Sequence, residues 1–261
     1  GVSGDPQDLL VVGMGKLGGR ELNVSSDIDL IFIFDENGET KATAEYPNVS
    51  KTFTVQEFYE RLARRIIPAL NDIEGAGFVF RVDMRLRPNG DSGPIVCSSS
   101  MLEEYLYSQG QEWERFAWLK GRVVNTPVFA SEEVFARQCK QLRTLVRPFV
   151  FRKYLDFGAL EALRELHEKI RAETARRELL RGSIGVNVKL GRGGIREIEF
   201  ITQTMQIIRG GRDPQLQGRS TLAMLSALGE ENFLDPAIAH QCQLDYIFLR
   251  NVEHADRKSV V

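Results

Sequence analysis

The chain has 261 residues, 43% hydrophobic and 27% charged, the balance of a soluble globular protein built as one large domain or two ordinary ones. Its formal net charge of −2 supplies no overall basic field for nucleic acid. No apolar run approaches the ~18 residues of a membrane span, and the N-terminus has no signal-peptide pattern. Cys97, Cys139 and Cys242 are odd in number and far apart, so they suggest neither a disulfide framework nor a zinc site and fit a reducing cytoplasm. His167, His240 and His254 fall in predicted helices without ligand spacing. The chain opens without Met and almost directly on a strand, as expected of a piece of something longer.

Leu9-Leu10-Val11-Val12-Gly13-Met14-Gly15 reads as a buried strand running into glycines. Gly13, Gly15 and Gly18 match the dinucleotide fingerprint by letter, but only Arg20-Glu21-Leu22-Asn23 separates them from the next strand, where the fingerprint needs a long helix. Gly18, Gly19 and Ser26 are candidates for bringing backbone N–H groups and a hydroxyl close to a phosphate. Asp27 to Phe34 is β-branched and aromatic and predicts a strand. Alternation puts Asp27 and Asp29 on one face. Two adjacent carboxylates repel unless a cation lies between them, and Mg²⁺ favours one or two carboxylates plus substrate phosphates. A bare Asp-x-Asp is more often a solvated strand end, and the flanking glycines and serine are what set this one apart.

Asp35 to Ser50 is a polar loop with an Asn37-Gly38 turn signal. Thr54-Val55-Gln56-Glu57 is a capping box, followed by Phe58, Leu62, Ile66, Leu70 and Ile73 at helical spacing. From Phe78 to Pro88 the pattern alternates, with Phe80, Val82, Met84 and Leu86 on one face and Arg81, Asp83, Arg85 and Arg87 on the other. This predicts a strand carrying a third carboxylate among arginines, which suits a site holding metal and phosphate together. Asn89 to Pro94 is a turn, Ile95-Val96-Cys97 a short strand, and Ser100-Met101-Leu102-Glu103 a second capping box for a helix through about Ser108. Trp113, Phe116, Ala117 and Lys120 lie on a further helix. Composition shifts after Thr126-Pro127. Helices are then expected over Glu132–Val146, Leu155–Leu180, Gly194–Ile208, Ser220–Leu228 and Pro236–Arg257, the last with Asp235-Pro236 as cap and first turn. Ile184 to Gly194 reads as a strand or hairpin ending in a glycine-rich turn at a helix N-terminus. It is either an anion site, with Lys189, Arg192 and Arg196 nearby, or an ordinary connector. Glu197 and Glu199 read as a solvated face, the alternative being acids that support a site from behind its ligands.

Gly18-Gly19, a short spacer, Ser26-Asp27-x-Asp29 and a hydrophobic strand together resemble the nucleotidyltransferase superfamily signature, which needs a third carboxylate on a neighbouring strand. Asp83 is the candidate. The expected fold class is therefore α/β (α+β): a nucleotidyltransferase-like mixed sheet with flanking helices over residues 1–125, then an all-helical domain over residues 126–261. The resemblance narrows further on Gly13-Met14-Gly15-Lys16-Leu17-Gly18-Gly19, Glu21-Leu22-Asn23, Ser25-Ser26-Asp27-Ile28-Asp29-Leu30, Arg81 to Pro88, Ser92-Gly93-Pro94, Trp113-Glu114-Arg115 and Gly193 to Phe200. These blocks look like the bifunctional glutamine synthetase adenylyltransferase/adenylyl-removing enzyme family. Its members carry two such units: a C-terminal one that attaches AMP to a tyrosine of glutamine synthetase, and an N-terminal one that removes it by phosphorolysis, giving ADP. Asn23-Val24-Ser25-Ser26, Asp91 to Pro94 and Ile195 to Glu199 read as the N-terminal type.

The resemblance implies that Asp27, Asp29 and Asp83 hold one or two Mg²⁺ or Mn²⁺ ions. It implies that Gly18, Gly19 and Ser26 position phosphate oxygens, that Arg85 and Arg87 neutralise charge, and that Lys16, Lys189 and Arg192 are available to join them. The implied partners are adenylylated glutamine synthetase, inorganic phosphate and ADP, and a PII-type signal protein; the implied location is the cytoplasm. Competing readings are ATP-dependent adenylylation of glutamine synthetase, a nucleic-acid nucleotidyltransferase, and a non-catalytic module that binds glutamine synthetase or a PII-type protein. The intact acids argue against the last of these.

Overall fold

Strand β1 (Leu10–Gly13) and strand β2 (Ile28–Phe34) pair antiparallel, with Leu10 opposite Ile33 and Gly13 opposite Leu30; the single helical turn α1 (Gly15–Gly18) lies between them in sequence. These come from a computed structural model that describes residues 4–23, 26–41, 51–72, 79–151 and 187–258, with isolated positions from 161 to 176. The expected helix Leu155–Leu180 and the first residues of the expected hairpin, Ile184 to Val186, fall wholly or largely outside the described residues. Six of the seven residues of β2 are buried, Asp29 being the exception, because the strand is covered on both faces.

Helix α2 (Val55–Asn71) covers one face. Its capping box forms as the sequence predicts: Thr54 Oγ1 accepts from the Glu57 N–H, and the Glu57 carboxylate accepts from the Thr54 N–H. Tyr59 and Ala63 pack with Leu30, Phe32 and Phe34 in the core of the sheet. Strand β3 (Val82–Asp83) runs parallel to β2, Ile28 beside Val82 and Asp29 beside Asp83. Strand β4 (Val96–Ser98) is also parallel to β2, Phe32 beside Val96. Because β1 takes one edge of β2, β3 and β4 share the other edge in succession.

Helix α3 (Ser99–Ser108) follows at once. Its N-cap is Ser98, whose hydroxyl accepts from the Met101 N–H at 3.2 Å, two residues before the capping box expected at Ser100. Ser98 ends a strand and already has the extended backbone a cap requires. After helix α4 (Glu112–Leu119), strand β5 (Arg122–Val123) adds antiparallel to β1. Helix α5 (Glu132–Val150) runs past the expected end at Val146 and through Pro148.

The chain divides into two compact units, Gly1–Gly110 with Lys120–Phe149, and Gln111–Leu119 with Val150–Val261. All of α5 but its last residue thus goes with the sheet, where composition alone set the divide after residue 125. The tie is specific: Gln138 Oε1 accepts from the Asp8 N–H, and Arg137 pairs with Asp5 at 3.2 Å. In the second unit, α4 packs on helix α6 (Ile195–Arg209), with Phe116 stacked on Phe200 at 5.0 Å. Helix α7 (Thr221–Glu230) and helix α8 (Pro236–Lys258) complete it, around a core of Ile195, Ile198, Leu225 and Tyr246. Asp235 caps α8 as expected, its carboxylate accepting from the Ala237 and Ile238 N–H groups. Among the described residues of this unit, the regular elements are helices.

Candidate active site

The glycine turn is built by close backbone packing. Gly15 has φ +51°, and a Cβ there would stand 3.2 Å from Asp29 Oδ2, so glycine lets the backbone run beside that carboxylate. A Cβ on Gly18 would lie 2.0 Å from the Lys120 carbonyl oxygen and 2.5 Å from that of Gly13. The segment at Lys120 to Arg122 clamps the turn: the Arg122 guanidinium donates to the Leu17 and Gly18 carbonyls, and Lys120 Nζ pairs with Glu21 at 2.8 Å, well buried. The Gly18 and Gly19 N–H groups donate to the Met14 and Gly15 carbonyls at 3.1 and 3.0 Å. The two donors expected to meet a phosphate are therefore engaged inside the turn. Ser26 is likewise engaged, its hydroxyl donating to Asn23 Oδ1 and its N–H to the Asn23 carbonyl. Lys16 lies half-buried on α1.

Two acids meet across the sheet. Register sets Asp29 directly beside Asp83 on parallel neighbours, so both carboxylates leave the same face. Asp27, one residue before β2, pairs with Arg81 Nε at 2.6 Å, and both side chains are more than half exposed. Asp83 takes a bidentate contact from Arg85: Nε at 2.9–3.0 Å and Nη2 at 2.5 Å. That hydrogen bonding holds the Asp83 carboxyl below its usual range, against an opposing push from burial.

The strand expected up to Pro88 stops at Asp83. Asp83 Oδ1 also accepts from the Arg85 N–H at 2.9 Å, and this local bond competes with extension and turns the chain. Arg87 consequently does not stand on a strand face beside Asp83. Its guanidinium donates to the Met84 carbonyl at 2.7 Å and faces Asp91 at 3.5 Å, which fastens the turn.

Among the described residues no group of three or more His, Cys, Asp or Glu side chains is drawn closely enough together to hold a metal ion. Two acids of the expected trio each face a guanidinium instead, Asp27 that of Arg81 and Asp83 that of Arg85. The donor chemistry nonetheless suits a hard divalent cation, because the acids offer only carboxylate oxygens from adjacent strands.

Lys189 and Arg192 belong to the second unit and are exposed. The described part of the expected hairpin, Asn187 to Gly194, is a run of turns, because Asn187 Oδ1 accepts from the Lys189 and Leu190 N–H groups. The start of α6 is satisfied from within: Gly193 N–H donates to Glu197 Oε2 at 2.9 Å, and the Ile195 and Arg196 N–H groups donate to the Val188 and Lys189 carbonyls. This is the pattern of a connector. Glu197 is thus a cap, and Glu199 accepts from the Tyr246 hydroxyl at 3.0 Å; neither is merely a solvated acid.

A mixed sheet, a tight glycine turn against its second strand and paired acids on parallel neighbours are the features of a nucleotidyltransferase. The family model for glutamate-ammonia ligase adenylyltransferase matches residues 2–137, and the chain belongs to that family. Residues 164–255 match the model for GlnD PII-uridylyltransferase. Bifunctional glutamine synthetase adenylyltransferase/adenylyl-removing enzymes from Burkholderia mallei (strain ATCC 23344) and Aromatoleum aromaticum (strain DSM 19018 / LMG 30748 / EbN1) are 52% and 53% identical over 254 and 252 residues. In both cases 97% of this chain is covered, but only 27% and 24% of the relative, so the chain spans about a quarter of their length. No helix among the described residues is long and apolar enough to cross a membrane.

Proposed function

We propose that this chain removes AMP from an adenylylated tyrosine of glutamine synthetase by phosphorolysis. An oxygen of inorganic phosphate bonds to the phosphorus of the tyrosyl-AMP linkage, the bond from phosphorus to the tyrosyl oxygen breaks, and that oxygen takes up a proton; the products are ADP and free tyrosine. The observation that carries the reading is the pairing of Asp29 with Asp83 beside Arg81 and Arg85, in a chain whose relatives are named for adenylyl transfer and adenylyl removal.

Asp29 and Asp83, with Asp27, would hold one or two Mg²⁺ or Mn²⁺ ions, which supply positive charge to phosphoryl oxygens and orient the attacking and leaving oxygens. Arg81 and Arg85 contribute the remaining charge that lets two anionic groups approach. Lys16 follows Gly15, whose backbone runs beside the Asp29 carboxylate, and is a further candidate cation. Inorganic phosphate is already an anion at neutral pH and needs no strong general base, in keeping with the absence of His167, His240 and His254 from every motif of the site. A PII-type signal protein is a further partner under the same reading. We read the second unit as an all-helical domain accompanying the catalytic sheet, and the three free thiols accord with the cytoplasm.

The test is incubation of the chain with adenylylated glutamine synthetase and Mg²⁺, with phosphate supplied or withheld. ADP formed only with phosphate supports the proposal. AMP released at an undiminished rate without phosphate makes water the nucleophile and overturns it. Incorporation of AMP from ATP into unmodified glutamine synthetase, with no ADP formed from the adenylylated protein, assigns the opposite activity.

A further inference from the structure

Asp83 and Arg85 form a contact with one fixed partner and one movable one. The Asp83 side chain stands on β3 and is 21% exposed; the Arg85 side chain stands on the turn just beyond it and is 73% exposed. The turn itself is pinned. The Arg87 N–H and guanidinium both donate to the Met84 carbonyl, and that guanidinium, well buried, faces Asp91. The Arg85 N–H is held on Asp83 Oδ1. Only the Arg85 side chain is therefore open to move.

That side chain covers the acid. Nε lies 3.0 and 2.9 Å from Asp83 Oδ1 and Oδ2, and Nη2 lies 2.5 Å from Oδ2. Among the described residues, every hydrogen bond that the Asp83 carboxylate accepts comes from Arg85. Asp29, level with Asp83 on β2, also acts on this guanidinium through its charge. A guanidinium and a divalent cation at one carboxylate repel each other and compete for its oxygens. Phosphate, in turn, binds the same two-pronged donor that the carboxylate does. It engages both prongs only when they leave Asp83.

We propose that Arg85 is a latch that couples inorganic phosphate to divalent metal. Resting on Asp83, it holds the metal off; phosphate, by drawing the guanidinium outward, releases the carboxylate to the metal. The two ligands then load together, and by linkage each raises the affinity for the other by the same factor. The coupling rests on the proposed function for the identity of its two ligands, and adds that they bind interdependently.

Binding measurements on the 261-residue chain, with no glutamine synthetase present, test it. In metal-free buffer with a chelator, titration calorimetry should show Asp83→Asn binding inorganic phosphate about three- to fivefold more tightly than the unaltered protein, the scale of an exposed ion pair. Asp91→Asn removes the same charge from an acid that holds Arg87 instead, so its gain should be smaller. Free Mn²⁺, followed by electron paramagnetic resonance without phosphate, should be bound about three- to fivefold more tightly by Arg85→Gln. Arg85→Lys, which keeps the charge but lacks the two-pronged donor, should fall between. Phosphate should tighten Mn²⁺ binding more in the unaltered protein than in Arg85→Gln, after correction for Mn²⁺ bound by phosphate in protein-free buffer. The latch is overturned by phosphate affinity unchanged in Asp83→Asn or raised equally in Asp91→Asn. It is equally overturned by Mn²⁺ affinity unchanged in Arg85→Gln, by Arg85→Lys matching the unaltered protein, or by equal tightening with phosphate in both proteins. None of these readouts uses turnover. AMP released to water with the coupling intact overturns only the proposed reaction, and ADP formed with the coupling absent overturns only the latch.

Discussion

Asp29 and Asp83 stand opposite each other on parallel strands, although more than fifty residues of chain separate them. Nothing local to either acid dictates the meeting. It follows from α2, which buries its apolar face on β2 and returns the chain to the open edge of that strand. Once β3 pairs there, the register brings the carboxylates level.

Without metal each outer acid holds a guanidinium, Arg81 on Asp27 and Arg85 on Asp83. Asp83→Asn or Asp27→Asn should therefore melt at or slightly below the unaltered protein without divalent metal, and should shrink the stabilisation produced by Mg²⁺. Turnover should fall by at least about a hundredfold, the scale of losing one electrostatic element of a transition state. Paired melting curves with and without Mg²⁺, read beside ADP release, separate this outcome from a folding defect. Near-normal turnover in Asp27→Asn removes that acid from the site.

Arg85 is mostly exposed and Asp83 only partly so, and the pair lowers the Asp83 pKa. A lowered carboxylate pKa adds stability above the unfolded value, and that contribution is lost as pH falls through the folded one. Arg85→Ala should thus melt slightly below the unaltered protein at neutral pH, with the two curves merging below the ordinary Asp value of about 3.9. Being a surface pair, its stability effect is small. The larger expected effect is on the KM for phosphate, which should rise, and a steady-state titration of phosphate reads it directly.

Local patterns were legible in the sequence where local physics decides them. The β-branched and aromatic run ending at Phe34 formed β2, the Thr54 capping box formed, and Asp235 capped the last helix. The strand around Asp83 was overestimated because alternation is blind to the bond from the Arg85 N–H to its carboxylate, which ends the strand after two residues. Gly18 was legible as important but for the wrong reason. What crowds it is the Lys120 carbonyl, brought there by the pairing of β5 with β1, a tertiary fact with no local signature. Arg81 was visible on the strand face, but its pairing with Asp27 depends on the β2–β3 register.

Cys97 is buried in β4, and desolvation pushes its thiol up to about 12. Burial also raises Cys139 and Cys242, each only partly exposed. Thiolate is the reactive form, so alkylation at pH 8 should be slow at all three and slowest at Cys97. Iodoacetamide labelling followed by peptide mass spectrometry should show Cys97 modified only as urea crosses the unfolding transition. Rapid labelling of native Cys97 would mean that β4 opens from the sheet without global unfolding.

The adjacent glycines of the turn should part company on substitution. A Cβ on Gly18 lands 2.0 Å from the Lys120 carbonyl oxygen and 2.5 Å from that of Gly13; both are backbone atoms that cannot swing aside. Gly18→Ala should cost about 1–3 kcal/mol or more, the range for forcing atoms into a filled space. Gly19 has an ordinary helical backbone at φ −74°, and its Cβ would meet first the Lys120 Cδ, part of a flexible side chain, at 3.3 Å. Gly19→Ala should hold stability to within about 1 kcal/mol, with a gain possible from restricting the unfolded chain. Its N–H already donates to the Gly15 carbonyl, so removing glycine there takes no donor from a substrate. Turnover should stay within a few-fold of the unaltered protein. Chemical denaturation and steady-state assays on the two variants decide the point: a stable Gly19→Ala protein with a sharply raised KM for phosphate would show that the substrate lies against that backbone after all.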